Sequence, residues 1–280
     1  MPELPEVESV RLALEPVMVG RRIVRARLFR RDMLAWDARG RGRAEAGMLG
    51  GDRVVELERR GKQMALVGES GRSLVVQLGM SGQVLVLKAG SRSRLDHVHA
   101  RWVLEDGTAV LFRDPRRFGG LTAIDAGDAL ERRWAGLGVD GLVVTGRDLH
   151  AALGGTARAI KAALLDQAVV AGVGNIYADE SLHAAGIHPL RRGGGLSPAE
   201  CGRLAGEVRR VLAEAIDAGG STIRDYRGAA GDAGGFQSRH RVYGRGGLAC
   251  LTCGRTLDSG TIAQRTSVWC RGCQPALQGL

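Results

Sequence analysis

Four of the five cysteines stand as two CxxC pairs, Cys250 with Cys253 and Cys270 with Cys273, separated by sixteen residues. That spacing suits a β-hairpin zinc finger with a knuckle at each end, and four thiolates would close a tetrahedral shell without leaving a position for water. One structural Zn2+ is expected; an iron-sulfur cluster and free buried thiols are the weaker readings. Cys201 falls at a core-facing helical position and reads as a small buried hydrophobe. At the other end, MPELPEVE places Pro2, Glu3 and Glu6 at the start of a helix. Removal of Met1 would expose Pro2 as a secondary amine that titrates about two units below lysine and is nucleophilic at neutral pH. It could attack an aldehyde-like sugar carbon, with Glu3 and Glu6 within reach for proton transfer. Taken alone, PELPE reads first as a plain helix start.

The chain has 40 basic against 30 acidic residues, a net charge of +10, and its only lysines are Lys62, Lys88 and Lys161. The surplus favours a polyanionic partner, nucleic acid ahead of an anionic membrane. The preference for arginine fits a GC-rich codon bias, so a retained lysine is informative: Lys62, in RRGK, would supply a compact point charge near a sugar or phosphate. In Arg113-Asp-Pro-Arg-Arg-Phe118 a bulky ring sits in an arginine-rich turn. On DNA, Phe118 could wedge into the base stack while a guanidinium fills the gap; otherwise it closes a sheet edge. Met80, in LGMSG, is either core or a second apolar finger. GVGN, Gly172 to Asn175, opens a helix whose first N–H groups could face a phosphate.

These residues need elements to hold them. Val7, Val10, Leu14 and Val17 repeat at helical spacing, with Glu6 and Glu8 at the positive end and Gly20 as the stop. From Arg22 to about Ile124, short Val/Leu-rich runs broken by Gly, Asp and Ser predict a β-sandwich or barrel-like domain. Beyond the linker the period is helical: Thr156 caps a segment through Leu165, GVGN opens another ending near Gly186, and Ser197-Pro198-Ala199-Glu200 is a capping box for a helix reaching Gly219. The Gly-rich stretch RGAAGDAGGFQSRH reads as a mobile loop. At 44% hydrophobic and 25% charged the chain is globular, and no apolar run approaches 18 residues. With an acidic start in place of a signal peptide, a cytoplasmic protein without membrane contact is expected.

In order along the chain, PELPEVE, RRGK, LGMSG, DPRRFG, AGVGNIYADESL, GIHP, GGSTIRDY, VYGR and CRGCQ closely resemble the formamidopyrimidine-DNA glycosylase family of bacterial enzymes, over nearly the whole length. The resemblance implies an α+β multidomain protein: an N-terminal helix plus β-sandwich at 1–135, a linker at 136–150, a helix-two-turn-helix domain with a lesion-covering loop at 151–240, and a zinc finger at 241–280. It implies a monomer acting on damaged duplex DNA held in a basic cleft. Pro2 then looks like the nucleophile, Glu3 the acid/base, and Lys62 the family's catalytic lysine, with Glu6 beside them. Met80, Arg116 and Phe118 match the trio that fills the hole left by an everted nucleotide. Asn175 and Arg265 match phosphate-clamping positions, His97 and Lys161 are further expected DNA contacts, and Thr222, Ile223, Arg224, Asp225 and Tyr226 resemble the loop over the everted purine. Gln77 replaces the His found before LGMSG in many relatives, and Ala249 replaces a Pro before the first Cys. An endonuclease VIII-type enzyme for oxidised pyrimidines is disfavoured by PELPE in place of PEGPE. A silent damage-binding protein is disfavoured by intact Pro2, Glu3 and Lys62.

Overall fold

In a computed structural model that describes residues 2–37, 43–91 and 95–276, α1 (Leu4–Met18) buries Val7, Val10, Leu14 and Met18 as one stripe. It ends where Val19 turns extended, just before the Gly20 stop read from the sequence. That stripe packs into the core of a unit formed by Met1–Gly136 and Ala218–Gly235. The strands are β1 (Ile23–Leu28), β2 (Leu34–Trp36), β3 (Val54–Arg60), β4 (Gln63–Gly68), β5 (Ser73–Gln77), β6 (Gln83–Leu87), β7 (Val98–Leu104), β8 (Ala109–Arg113) and β9 (Gly120–Ile124). They form the expected sandwich: an antiparallel sheet ordered β1-β7-β8-β6 and a mixed sheet ordered β2-β9-β5-β4-β3, in which β2 runs parallel to β9. Trp102 and Phe112 are fully buried in the core, and truncating either to Ala would cost about 3–5 kcal/mol. A short α2 (Ala44–Gly47) follows β2, and α3 (Ala129–Trp134) covers Ala65, Val75 and Ile124 in a second, smaller cluster.

The other unit comprises Leu137–Asp217 and Phe236–Leu280. It contains β10 (Val139–Asp140), α4 (Gly146–Leu153), α5 (Ile160–Leu164), β11 (Val170–Ala171), α6 (Asn175–Ala184), α7 (Pro198–Asp217) and the hairpin β12 (Asp258–Ile262) with β13 (Arg265–Trp269). The predicted box at Ser197 forms: Ser197 N–H donates to Glu200 Oε2 at 2.8 Å and Glu200 N–H to Ser197 Oγ at 3.3 Å.

Three sequence expectations change. The stretch 136–150 is folded and not a bare linker: β10 pairs in parallel with β11, and Thr145 and Asp148 close a capping box that starts α4, which buries Leu149 and Leu153. Thr156 does not cap a helix, because α5 begins only at Ile160, with Ala159 as its N-cap. The Gly-rich segment is docked. Tyr226 and Ala229 join the sandwich core, which groups 218–235 with the first unit, while Phe236 packs on Tyr177 with ring centroids 5.9 Å apart.

Candidate functional site

The N-terminus of α1 brings Pro2, Glu3 and Glu6 together. Pro2 is buried, Glu3 is 3% and Glu6 1% exposed. Glu6 acts as a junction: Oε2 accepts from the Glu3 N–H at 2.7 Å and Oε1 from the Ser221 N–H at 2.7 Å. The Tyr226 hydroxyl donates to the Glu6 carbonyl at 3.3 Å, and burial together with the Glu6 charge pushes that phenol far above its usual pKa. The loop at 222–226 is therefore tied directly to the helix that carries the candidate nucleophile. Thr222 closes it internally, donating from Oγ1 to the Tyr226 carbonyl at 3.1 Å and accepting from the Gly234 N–H at 2.9 Å. Ile223 and Arg224 face solvent and Asp225 is half-buried.

Lys62 occupies the tip of the β3–β4 hairpin, half-buried. Arg60 pairs with Gln63, so only two residues make the turn, and Gly61 takes φ +56° as the first central residue of a II′-type turn requires. The sequence reading missed Arg59. Its Nε donates to Glu8 Oε2 at 2.7 Å and its Nη1 to the Gly61 carbonyl at 3.0 Å, linking α1 to the turn that carries Lys62. Burial opposes ionisation of Glu8, but Arg11 and Arg59 outweigh it and hold the carboxyl below its usual range. With 37 arginines in the chain, nothing in the composition marks this one.

Met80, Arg116 and Phe118 lie on two turns locked together. A Cβ on Gly79 would fall 2.3 Å from the Phe118 carbonyl carbon, and one on Gly119 would fall 2.5 Å from the Gln77 carbonyl oxygen, so only glycine permits this backbone contact. Asp114, with no exposure, organises the second turn: Oδ1 accepts from Ser81 Oγ and from the Arg116 N–H, and Oδ2 accepts from the Gly119 N–H at 2.7 Å. The result presents Phe118, 59% exposed, and Met80, 38% exposed, with the Arg116 guanidinium 4.9 Å from the Phe118 ring centre. An exposed aromatic on a rigid turn excludes the sheet-closing reading. His97, exposed at φ +64°, abuts the same turn, its carbonyl accepting from the Asp114 N–H at 3.0 Å.

In the second unit, Asn175 stands at the first turn of α6 and its Nδ2 donates to the Thr266 carbonyl at 3.0 Å. Arg265 is exposed beside a two-residue turn, Ala263-Gln264, in which both residues are left-handed, φ +48° and +58°. Lys161 corrects an expectation: it is fully buried and cannot touch DNA. Its Nζ lies 2.7 Å from Asp179 Oδ1 and donates to Ser267 Oγ at 2.6 Å, while Asp179 Oδ2 accepts from the Val268 N–H at 3.2 Å. Burial raises the Asp179 pKa to about 6 against the opposing effect of Lys161. Lys161 thus bolts β13 to α6, the two elements that carry Arg265 and Asn175.

The sulfur atoms of Cys250, Cys253, Cys270 and Cys273 all lie within 4.8 Å of one another, with 3.9 Å from Cys250 to Cys273 and 3.4 Å from Cys253 to Cys270. A tetrahedron of thiolates about 2.3 Å from a metal has edges of about 3.8 Å, so the four residues fit a closed metal shell. Burial opposes ionisation of Cys250, but N–H groups of Thr252 and Cys253 and the His183 ring outweigh it and bring its pKa to about 5. Cys273 is pushed up to about 12 by burial and the neighbouring sulfurs, the behaviour of a cluster that needs a cation to ionise fully. Gln274, a second residue the sequence reading did not single out, secures the last knuckle by accepting from the Cys270 N–H and donating to the Ile187 carbonyl, both at 2.9 Å.

Comparison with known proteins places this arrangement in one class. The formamidopyrimidine-DNA glycosylase N-terminal domain matches residues 1–121 and the H2TH domain of the same enzymes matches residues 141–227, the latter beginning inside the stretch first read as linker. Relatives named formamidopyrimidine-DNA glycosylase include one from Xanthomonas euvesicatoria, 44% identical over 276 residues, and one from Cereibacter sphaeroides, 46% identical over 287. Each alignment covers 98% of this chain and the whole relative. The crystal structure of MutM (Fpg) from Thermus thermophilus superposes with a TM-score of 0.84 at 40% identity, covering 98% of both chains. Lactococcus lactis Fpg, in complex with DNA that contains an abasic site, gives 0.87 at 30% identity, covering 98% of this chain and all of that one. The chain belongs to the formamidopyrimidine-DNA glycosylase family.

Proposed function

We propose that the protein is a base-excision repair DNA glycosylase with AP lyase activity, removing 8-oxoguanine and formamidopyrimidines from duplex DNA. The observation that carries this reading is the content of the first unit. It holds a buried Pro2 flanked by buried carboxylates and, on a glycine-locked turn, an exposed Phe118 suited to fill a gap in a base stack. Once Met1 is removed, the Pro2 nitrogen attacks C1′ of the damaged nucleotide and the bond from C1′ to the base breaks. Glu3 moves the protons that base loss and ring opening require. The resulting iminium is an electron sink: loss of a C2′ proton expels the 3′ phosphate, a second elimination expels the 5′ phosphate, and water then frees Pro2. Lys62 holds a positive charge near the reacting sugar and its phosphates. Asn175 and Arg265 take backbone phosphates, and Met80, Arg116 and Phe118 occupy the space vacated by the everted base.

The four cysteines would hold one Zn2+, whose role is to brace the hairpin that carries Arg265, and every cluster position is filled by protein sulfur. Among the described residues no helix is long and apolar enough to cross a membrane, and the reading is of a cytoplasmic monomer working on chromosomal DNA.

Borohydride trapping tests the mechanism. An 8-oxoguanine duplex should give a covalent adduct through Pro2; Pro2→Gly should weaken trapping, and Glu3→Gln should slow excision by about 10²- to 10⁴-fold. Binding without any adduct would mark a silent damage-binding protein, and preference for a thymine glycol duplex would mark an enzyme for oxidised pyrimidines.

A further inference from the structure

Strand β6 is an edge of its sheet, and the segment 218–235 uses that edge: the Val86 N–H donates to the Ala229 carbonyl at 2.9 Å. Gln83, 7% exposed at the start of β6, reaches the same segment with its side chain. Its Nε2 donates to the Asp225 carbonyl, and its Oε1 accepts from Arg113 Nη1 at 3.2 Å. The partners dictate this orientation, since a guanidinium only donates and a carbonyl only accepts. Arg113 is itself held, its Nε donating to the Asp96 carbonyl at 2.9 Å, and it immediately precedes Asp114, which organises the Phe118 turn. The Ser221 and Tyr226 contacts with Glu6 fasten the two ends of 221–226, whereas the Asp225 carbonyl lies beside the exposed pair Ile223 and Arg224.

We propose that Gln83 is a positioning residue for base excision: its carboxamide pins the lesion-covering loop at Asp225 and couples that loop to the turn that presents Phe118. The inference rests on the reading of 222–226 as the cover over an everted purine. An amide is required because the link needs a donor on one side and an acceptor on the other. A pinned loop is already ordered when the damaged base arrives, so the ordering entropy is not charged against base capture. Cleavage of a pre-formed abasic site, which offers no base to cover, does not depend on it.

The test compares Gln83→Ala with Gln83→Glu. Glutamate keeps the acceptor for Arg113 and lacks the donor for Asp225, so a residue needed only to anchor Arg113 would survive that change. Both variants should lower kcat/KM for 8-oxoguanine excision by about 3- to 10-fold, the range for one lost hydrogen bond, while abasic-site cleavage stays within about 2-fold of the parent. Trypsin should nick after Arg224 or Arg227 several times faster in both variants at unchanged Tm. Parental excision in Gln83→Glu, or equal loss on both substrates, overturns the proposal. A parent protein that excises no oxidised purine removes the functional reading instead, and the trypsin rates still decide whether Gln83 holds the loop.

Discussion

Two surfaces present groups to DNA on the proposed reading, and they are built on opposite principles. The turns carrying Met80, Arg116 and Phe118 lean on the large sandwich core and are fixed by backbone contact through Gly79 and Gly119, with Asp114 collecting their donors. The hairpin carrying Arg265 has only a small cluster of its own, Val242, Cys250, Leu257, Val268 and Cys270, and its tip is strained by two left-handed non-glycine residues. A core that small cannot hold such geometry unaided: a buried ion pair braces it, and the four cysteines are placed to hold a metal that would brace it further. A large core makes rigidity cheap; a small module obtains it from a few strong interactions, and each of these is a single point of failure.

The largest effect should follow metal removal. Structural zinc contributes about 10–16 kcal/mol to small cysteine modules, so a strong chelator should unfold the finger and reduce DNA affinity to the non-specific range, a Kd of roughly 10⁻⁴ to 10⁻⁶ M. Fluorescence anisotropy with a lesion duplex would measure it, and unchanged affinity would refute the dependence. Next, Asp179→Asn removes the carboxylate paired with the buried Lys161 and should cost about 3–5 kcal/mol in urea unfolding. Asp114→Asn keeps one acceptor and should cost about 1–3 kcal/mol. The reverse ranking would show that the turn, and not the hairpin, depends on the fewer interactions.

Phe118→Ala should leave stability within about 0.5 kcal/mol, because the ring is exposed. It should weaken excision by about 5- to 150-fold, the value of one stacking contact, and abasic-site cleavage by less. Equal loss on both substrates would count against a wedge. The smallest effect lies at Glu200, whose carboxyl the Arg191 guanidinium, helped by Ser197, holds at about 2 instead of 4.5. A depressed acid pKa stabilises the fold above pH 4.5, and that contribution fades as the pH falls from 4.5 to about 2. Glu200→Gln should therefore cost about 1 kcal/mol at pH 7 and little at pH 2, measured by urea unfolding at both.

Much of this was legible beforehand because the signals are local. The cysteine spacing, the capping box at Ser197 and the helical stripe from Val7 to Leu14 each concern residues that lie close together in the chain. The α4 helix was missed although Thr145-x-x-Asp148 is a capping box, because the surrounding Gly and Asp suggested a linker. The docking of 227–240 was missed because a Gly-rich composition hides Ala229, which enters the sandwich core, and Phe236, which packs on Tyr177.

From its own residues the chain determines which chemistry it can carry: four thiols in chelating pairs, an amine and carboxylates at one helix start, and an aromatic ring among arginines. Only the tertiary structure decided which charges meet solvent. Composition and local pattern have no purchase on Lys161, whose fate depends on Asp179 and on Ser267, 106 positions away. Burial is a property of packing between distant segments, and a cation sealed from water must find its counter-charge there and not on a phosphate.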